Sequence, residues 1–264
     1  MSPSNWAPLA GSVVSTLDTP ELPQALAGFL RQTVPFSYTV VFGYSGTARP
    51  IDLHDDFPLA KRKIFVTDYQ AGPYLLDPFY LAAVQPFVPG LYRLRDLAPD
   101  RFYQGEYYRN YYAQTGLAEE IAYFVDLPGQ TTLVLSLMRA EKRFSPREFR
   151  ALQAVFPFVA SAARRHWKTI SHQFGKAGEV LGSQRAQRVL SDDLGSFGAG
   201  ILTAREREIA AFTLKGHSAE STGQILGISS GTVRIHRRNI YSKLRINSQG
   251  ELFSRFLRTL TDVP

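Results

Sequence analysis

Between Thr203 and Gly227 the sequence marks the ends of two consecutive short helices. Thr203 and Glu206 have the T-x-x-E spacing of a capping box, in which a hydroxyl and a carboxylate satisfy free backbone amides at a helix start. Gly216 supplies the backbone freedom of a helix stop, and Ser218 caps a second helix that ends at Gly227. Helices this short need partners for a core, so the stretch predicts a compact all-α module.

A third helix begins after Ser229 and has one apolar and one cationic face. At about 100° per residue, the inward face carries Val233, Ile240 and Leu244. The outward face carries Arg234, Ile235 and Arg238. Arginines on an exposed helix fork onto guanine in the major groove, so we predict that these three residues read bases. We assign phosphate contacts to the flanking side chains Thr232, Arg237 and Lys243. The alternative is a cationic face that is only solvated.

The stretch from Leu202 to Leu252 resembles the LuxR-type helix-turn-helix of bacterial transcription regulators. The matching positions are Gly216, Gly227, Ser229, Thr232, Val233, His236, Ile240, Lys243 and Leu244. The resemblance implies sequence-specific binding to double-stranded DNA, with RNA polymerase as a further candidate partner. Thr222 and Gly223 depart from the usual Ile-Ala of the family. Either this helix is loose without DNA, or a close helix approach requires a small residue there.

The last predicted helix, from about Ser248 to Leu260, carries an apolar stripe. Its members are Leu252, Phe253, Phe256, Leu257 and Leu260. Because a four-helix module this small has room for only part of the stripe in its core, we predict that the remainder forms a homodimer seam. This agrees with the family habit of binding two-fold symmetric sites. The alternative is that the whole stripe is core within the domain.

The formal charge of +7 is distributed unevenly along the 264 residues. Residues 1–138 carry −4, residues 139–202 carry +6 and residues 203–264 carry +5. A basic C-terminal half suits contact with nucleic acid, whereas the acidic front does not require it. The chain has no cysteine, which excludes disulfides and thiolate ligands. We expect a cytoplasmic protein without a membrane partner, because no signal-peptide or membrane-span pattern is present.

The first 170 residues alternate between helical and strand patterns. We predict a helix at 21–33, strands near 36–44 and 51, helical segments at 75–84 and 101–115, and strands at 121–127 and 131–139. A second capping box, Ser145 with Glu148, opens a long helix toward His172. The order is similar to GAF and PAS-like sensor domains, and to the acyl-homoserine-lactone-binding domain of quorum-sensing LuxR proteins. The predicted organisation is an α/β sensing domain at 1–173, a linker at 174–200 that lets the domains reorient, and the helical domain at 201–264.

Aromatic residues are concentrated in the middle of the predicted sensing domain. Fifteen of the 33 aromatic side chains lie between Phe65 and Phe124. A mostly apolar pocket with a few polar groups would use so many tyrosines well, although ordinary packing explains them too. Our candidates for a small-molecule pocket are Tyr69, Tyr74, Asp77, Phe79, Tyr107, Tyr111, Glu119 and Tyr123. Since aromatic walls with a carboxylate suit cations, an amine is one predicted effector.

Two other interpretations of this domain stay open. Asp77-Pro78 matches the Asp-Pro of autoinducer-binding domains, which favours an acyl-homoserine lactone. The tryptophan that those domains have upstream is absent, and Tyr69 is one position from the expected tyrosine. An adaptor that binds another protein without any ligand is the remaining interpretation. A phospho-acceptor receiver is disfavoured, because Asp55-Asp56 follows no clean buried strand.

The sequence offers no pattern that favours an enzyme. It has no glycine-rich phosphate loop, no metal-spaced set of His and Glu, and no G-x-S-x-G elbow. The histidines are scattered, at His54, His166, His172, His217 and His236. We therefore expect no catalytic residues, no metal and no cofactor, and we predict a DNA-binding regulator.

Overall fold

The computed structural model describes residues 3–174, residue 194 and residues 196–261, which form two compact units. The sheet unit comprises the described residues before Ile64, Ala82–Leu97, and those from Leu117 to Phe174. The helical unit comprises Ile64–Leu81, Ala98–Gly116 and the described C-terminal residues. Two segments of the N-terminal half thus belong with the C-terminal helices, which a single boundary near residue 174 does not anticipate. The short helical turn predicted at 184–190 lies outside the described residues.

The sheet unit is built on one antiparallel sheet in the order β2-β1-β5-β4-β3. The strands are β1 (Tyr38–Ser45), β2 (Ile51–Asp55), β3 (Gly90–Arg93), β4 (Glu119–Leu127) and β5 (Thr131–Arg139). The pair β4 and β5 is the predicted hairpin, with positive φ at Gly129 and Gln130 in its turn. The strand β3 was not predicted, because only four residues of it pair with β4.

Most of the α-helices are short. In chain order they are α1 (Pro3–Ser15), α2 (Leu22–Thr33), α3 (Leu59–Arg62), α4 (Pro78–Ala83), α5 (Leu94–Leu97), α6 (Glu106–Asn110), α7 (Pro146–Ala154), α8 (Phe156–His166), α9 (Ala204–Lys215), α10 (Ala219–Leu226), α11 (Ser230–Leu244) and α12 (Gln249–Thr261). No helix that the structure describes is both long and apolar enough to span a bilayer.

The main hydrophobic core lies between one face of the sheet and helices of the sheet unit. Alternate residues of β4, including Ile121, Tyr123 and Val125, pack with Phe29 of α2 and Val159 of α8. These side chains are at most 1% exposed. The period-2 alternation of the strand therefore selects which β4 side chains enter this core. The fold is an antiparallel α/β domain, and its likeness to GAF and PAS-like domains stays a prediction.

The capping box predicted at the start of α7 is confirmed. Ser145 Oγ accepts from the Glu148 amide, and the Glu148 carboxylate accepts from the Ser145 amide. The prediction of one uninterrupted helix toward His172 was wrong. The helix is divided at Val155, because Pro157 in the first turn of α8 has no N–H with which to continue the hydrogen-bond ladder.

The segments at 75–84 and 101–115 also differ from the continuous helical segments that we predicted. The first is a 3₁₀ turn at Pro73–Leu76 followed by α4. The second consists of a 3₁₀ turn at Phe102–Gln104, the helix α6 and a further 3₁₀ turn at Tyr112–Thr115. Ring contacts join the pieces of the second segment, since the Phe102 ring centroid lies 5.8 Å from that of Tyr107 and 6.1 Å from that of Tyr112.

The C-terminal helices follow the boundaries predicted from their caps. Thr203 Oγ1 accepts from the Glu206 amide at the start of α9, and Gly216 ends α9 with φ +95°. Ser218 and Ser229 cap α10 and α11 in the same way, each accepting from the backbone amide three residues ahead. Local capping chemistry therefore accounts for how α9, α10 and α11 are placed along the chain.

Candidate nucleic-acid interface and aromatic cluster

The two predicted faces of α11 are confirmed by burial. Val233, Ile240 and Leu244 are at most 1% exposed and pack inside the helical unit. Arg234, Ile235 and Arg238 are exposed, and Ile235 keeps 50% of its surface accessible despite its apolar side chain. An accessible aliphatic residue between two arginines fits contact with base edges, which include the thymine methyl group. Base reading by these three residues remains a prediction.

Arg234 forms an ion pair with Glu220 in the first turn of α10. Both side chains are more than half exposed, so the pair contributes little to stability and is open to exchange. Glu220 was not singled out from the sequence, because an acidic residue in a first turn is common in any helix. The pair places the guanidinium of a predicted base reader close to α10.

All three predicted phosphate-binding side chains already have partners within the helical unit. Arg237 donates from Nη2 to the His217 carbonyl at 2.8 Å, and burial lowers the pKa of its guanidinium. Lys243 Nζ lies 2.7 Å from Glu206 Oε2. Thr232 Oγ1 lies 2.8 Å from Ser229 Oγ. Each residue therefore has a role in holding the module together, and its contact with a phosphate remains a prediction.

The two departures from the family pattern in α10 have a structural reason. A Cβ at Gly223 would lie 2.6 Å from the Ile228 carbonyl oxygen, which real side chains do not tolerate. Thr222 is fully buried and donates from Oγ1 to the Ser218 carbonyl at 2.7 Å. The close approach of the turn to α10 therefore explains the glycine, in agreement with one of the two interpretations of the sequence.

The apolar stripe of α12 lies mostly inside the helical unit. Leu252, Phe253 and Phe256 are at most 3% exposed, and the Phe256 ring meets Phe197 edge-on at 5.7 Å. Leu257 and Leu260 are partly exposed, and a side chain at Gly72 would clash with Leu260. The three most buried members are therefore core side chains, and a homodimer seam on the rest of the stripe remains a prediction. The dimer itself remains a proposal.

Six of the eight predicted pocket residues lie in the helical unit, and the rings of four of them, all tyrosines, form a connected cluster. The ring centroids of Tyr69 and Tyr74 are 6.1 Å apart, those of Tyr69 and Tyr111 are 6.4 Å apart, and those of Tyr111 and Tyr107 are 5.4 Å apart. Tyr111 also donates its hydroxyl to the Ile64 carbonyl at 2.6 Å. Phe79 is 2% exposed, and its backbone amide donates to the Asp77 carboxylate.

Asp77 is the acidic residue among the six predicted pocket residues of the helical unit. Its carboxylate accepts from the Tyr69 hydroxyl at 2.7 Å and from the Phe79 amide at 2.9 Å. Burial of the carboxyl group raises its pKa to about 6, against the opposing effect of these two hydrogen bonds. Among the described residues, no Lys, Arg or His side chain forms an ion pair with it. The residue keeps part of its surface accessible.

Glu119 and Tyr123 belong to the sheet unit and already have partners there. Glu119 is paired with Arg93 at 2.6 Å and accepts from the Phe144 amide. Tyr123 donates its hydroxyl to the Leu152 carbonyl at 2.8 Å inside the main core. The alternation of β4 places both side chains on the face that packs against α-helices. Their role in a small-molecule pocket remains a prediction.

Asp100 is the functional candidate that the sequence did not indicate. Its carboxylate accepts from the backbone amide of Ser218, 118 residues away along the chain. No local spacing or motif connects these two positions.

Among the described residues, no cluster of three or more His, Asp or Glu side chains is arranged to hold a metal ion.

Comparison with known proteins supports the assignment of the C-terminal module. Residues 200–256 match the model of the family described as bacterial regulatory proteins, luxR family. A relative from Aeromonas salmonicida, described as an HTH-type transcriptional regulator in the exeN 3′ region, is 34% identical over 190 residues. That match covers 71% of this chain and 96% of the relative. The monoamine regulon transcriptional regulator of Klebsiella aerogenes is 30% identical over 149 residues, covering 56% of this chain and 54% of that protein.

Solved structures are similar to the N-terminal part and to the full length. The LBD domain of VqsR from Pseudomonas aeruginosa superimposes with a TM-score of 0.53 and 28% identity, covering 62% of this chain and 97% of that one. Escherichia coli SdiA matches with a TM-score of 0.44 and 19% identity, covering 95% of this chain and 96% of that one. The capped helical module, the family model and the relative matched along nearly its whole length agree, and the chain therefore belongs to the LuxR family of transcriptional regulators.

Proposed function

We propose that this regulator binds duplex DNA through the exposed face of α11 and senses a small molecule in its N-terminal region. The effector would change DNA binding through the geometry of a homodimer. The observation that carries the DNA-binding part is the two-faced α11, whose aliphatic side is buried while Arg234 and Arg238 point to solvent. The likeness to a ligand-binding domain of VqsR supports the sensing part.

The base readers are tested by the double variant Arg234→Ala/Arg238→Ala. Each bidentate arginine–guanine contact is worth about 1–3 kcal/mol of discrimination, so we expect the variant to lose at least tenfold in preference among duplexes. Duplexes selected from a random pool by the wild-type protein supply the preferred and non-preferred sequences. The matched control Arg147→Ala/Arg150→Ala removes the same charge from exposed positions of α7 and should keep the preference. Unchanged discrimination by the folded α11 variant contradicts the proposal.

We further propose that the effector is a small amine that places its ammonium group against Asp77. A desolvated carboxylate needs a counter-charge, and none of the described side chains supplies one. The tyrosine rings around it provide the π faces that attract cations. The description of the Klebsiella relative as a monoamine regulon regulator is consistent with this chemistry. The competing candidates are an acyl-homoserine lactone and a domain that binds protein rather than a small molecule.

Thermal shift measurements on the full chain distinguish these candidates. 2-Phenylethylamine should raise the melting temperature, whereas 2-phenylethanol, which has the same ring without the charge, should not. Asp77→Asn should abolish the amine response, and Asp96→Asn, at an exposed position, should retain it. A shift with hexanoyl-homoserine lactone alone would favour the quorum-sensing interpretation. No shift with any of the three compounds would favour the adaptor.

A further inference from the structure

The segment Ala98–Gly116 packs directly on the DNA-binding module within the helical unit. Asp100 Oδ1 accepts from the Ser218 amide at 3.0 Å, at the amino end of α10. The amide of Arg101 donates to the Gly216 carbonyl at 3.1 Å. A side chain at Gly216 would lie 3.1 Å from the Phe102 Cα, so the two backbones approach as closely as glycine allows. These contacts make one continuous docked surface, which we call the docking contact.

Asp100 brings a negative charge to this contact. Burial raises the pKa of Asp100. The hydrogen bonds from Ser218, together with the electrostatic effect of nearby His217, outweigh burial and lower the pKa below its usual value. The carboxylate is therefore charged at neutral pH. It lies at the amino end of α10, where a backbone amide without a partner inside the helix and the positive end of the helix dipole favour negative charge.

A second carboxylate of the same segment lies at a second helix start of the module. A Cβ at Gly250, in the first turn of α12, would lie 3.5 Å from Glu106 Oε2. Glu106 also accepts from Asn110 at 2.8 Å, which keeps its side chain in place on α6. The segment thus presents two carboxylates to the amino ends of two helices.

The amino end of α10 is attached to the predicted recognition helix. Arg237 of α11 donates to the carbonyl of His217, the residue before the α10 cap. In helix-turn-helix proteins, the helix before the recognition helix crosses the DNA backbone, and helix amino ends bind phosphate oxygens. The Ser218 amide lies at such an amino end, beside the helix that is proposed to enter the major groove.

We propose that Asp100 occupies the position of a DNA phosphate at the amino end of α10, so that the docking contact and DNA-backbone binding exclude each other. The segment Ala98–Gly116 is then an intramolecular competitor of duplex DNA. This inference rests on the proposed DNA binding and is independent of the identity of the effector.

The test compares full-length variants by fluorescence anisotropy on a labelled duplex of random sequence over a range of salt concentrations. Asp100→Ala should bind about tenfold more tightly than wild type. Because one more phosphate is neutralised, the slope of log affinity against log salt should steepen by about 0.9. The control Asp96→Ala removes the same charge four residues earlier, from the sheet unit. An Asp100→Ala affinity no higher than that of Asp96→Ala overturns the proposal.

In a second experiment, a cross-link keeps the docking contact closed while DNA binding is measured. The chain has no cysteine, so Glu106→Cys/Gly250→Cys introduces the only two thiols, which a short cleavable cross-linker can bridge. The bridged protein should bind the duplex at least tenfold more weakly than the same protein after cleavage of the linker. Equal binding in the two states overturns the proposal, whether or not Asp100→Ala folds. If neither wild type nor any variant binds a duplex, the proposed DNA binding itself fails.

Discussion

The sheet unit and the aromatic cluster around Tyr69 compensate their acidic side chains in different ways. In the sheet unit, Glu119 is paired with Arg93, and both side chains are at most 7% exposed. Glu148 is paired with Arg139, which lowers the pKa of that glutamate to about 2. In the helical unit, Asp77 receives only a hydroxyl and an amide, and burial raises its pKa to about 6.

The difference separates charges that stabilise the fold from a charge that is available for binding. A carboxylate whose counter-ion is part of the chain has its charge compensated before any ligand arrives. Asp77 has no such counter-ion among the described residues, so its environment favours a proton or an external cation. The contrast can be examined by removing the partner Arg93 in the sheet unit and the charge of Asp77 in the helical unit.

The largest effect is expected for Arg93→Ala. Removing the guanidinium leaves the buried carboxylate of Glu119 uncompensated, so the free energy of unfolding should fall by about 3–5 kcal/mol. Urea denaturation at neutral pH measures this loss. The double variant Arg93→Met/Glu119→Leu should recover most of it, and Arg95→Ala, at a position 41% exposed, should cost less than about 1 kcal/mol. A loss under about 1 kcal/mol for Arg93→Ala would show that the pair is not structural.

A smaller effect with a distinct pH dependence is expected at Asp77. Because its folded-state pKa lies above the usual 3.8, the folded protein holds the proton more tightly than the unfolded chain. The unfolding free energy should therefore fall as pH rises from about 4 through about 6, by about 3 kcal/mol. Asp77→Asn should remove this decline, and Asp96→Asn should not. Parallel pH profiles for wild type and Asp77→Asn in urea denaturation would contradict it.

The smallest effect is expected for Tyr69→Phe. This change removes the hydroxyl that donates to Asp77 at 2.7 Å and leaves the ring in place. We expect a loss of about 1 kcal/mol at neutral pH, because the ionised form of Asp77 loses one of its two donors. Tyr103→Phe, whose residue is 49% exposed, is the matched control. Equal stability of the two variants would mean that the Tyr69 hydroxyl contributes nothing to this site.

Local chemistry made the C-terminal module predictable. The caps at Thr203, Ser218 and Ser229 fix the helix starts through hydrogen bonds between residues only three positions apart, so their pattern is visible in the sequence. The strands β4 and β5 were predictable for the same reason, because their pairing spans a single turn. The burial of Val233 on α11 followed from helical periodicity.

Contacts between distant parts of the chain were not predictable. The bond from Ser218 to Asp100 spans 118 residues, and nothing at either position indicates the other. The burial of Phe256 in the helical unit depends on Phe197, which belongs to the predicted linker. The break at Val155 is a smaller case, because Pro157 is tolerated in a first helical turn and therefore marks a helix start as readily as a stop. The contacts of Asp100 and Phe256 depend on tertiary packing that one sequence does not display.

The distribution of aromatic residue types gives the two units separate optical signatures. Both tryptophans of the chain, Trp6 and Trp167, lie in the sheet unit, whereas the ring cluster around Tyr69 is made of tyrosines and phenylalanines. Emission excited at the red edge of the absorption band therefore reports only on the sheet unit. The near-ultraviolet circular dichroism of the tyrosines comes mainly from the helical unit, which holds nine of the thirteen. A change in that signal without a change in tryptophan emission therefore reports opening of the helical unit.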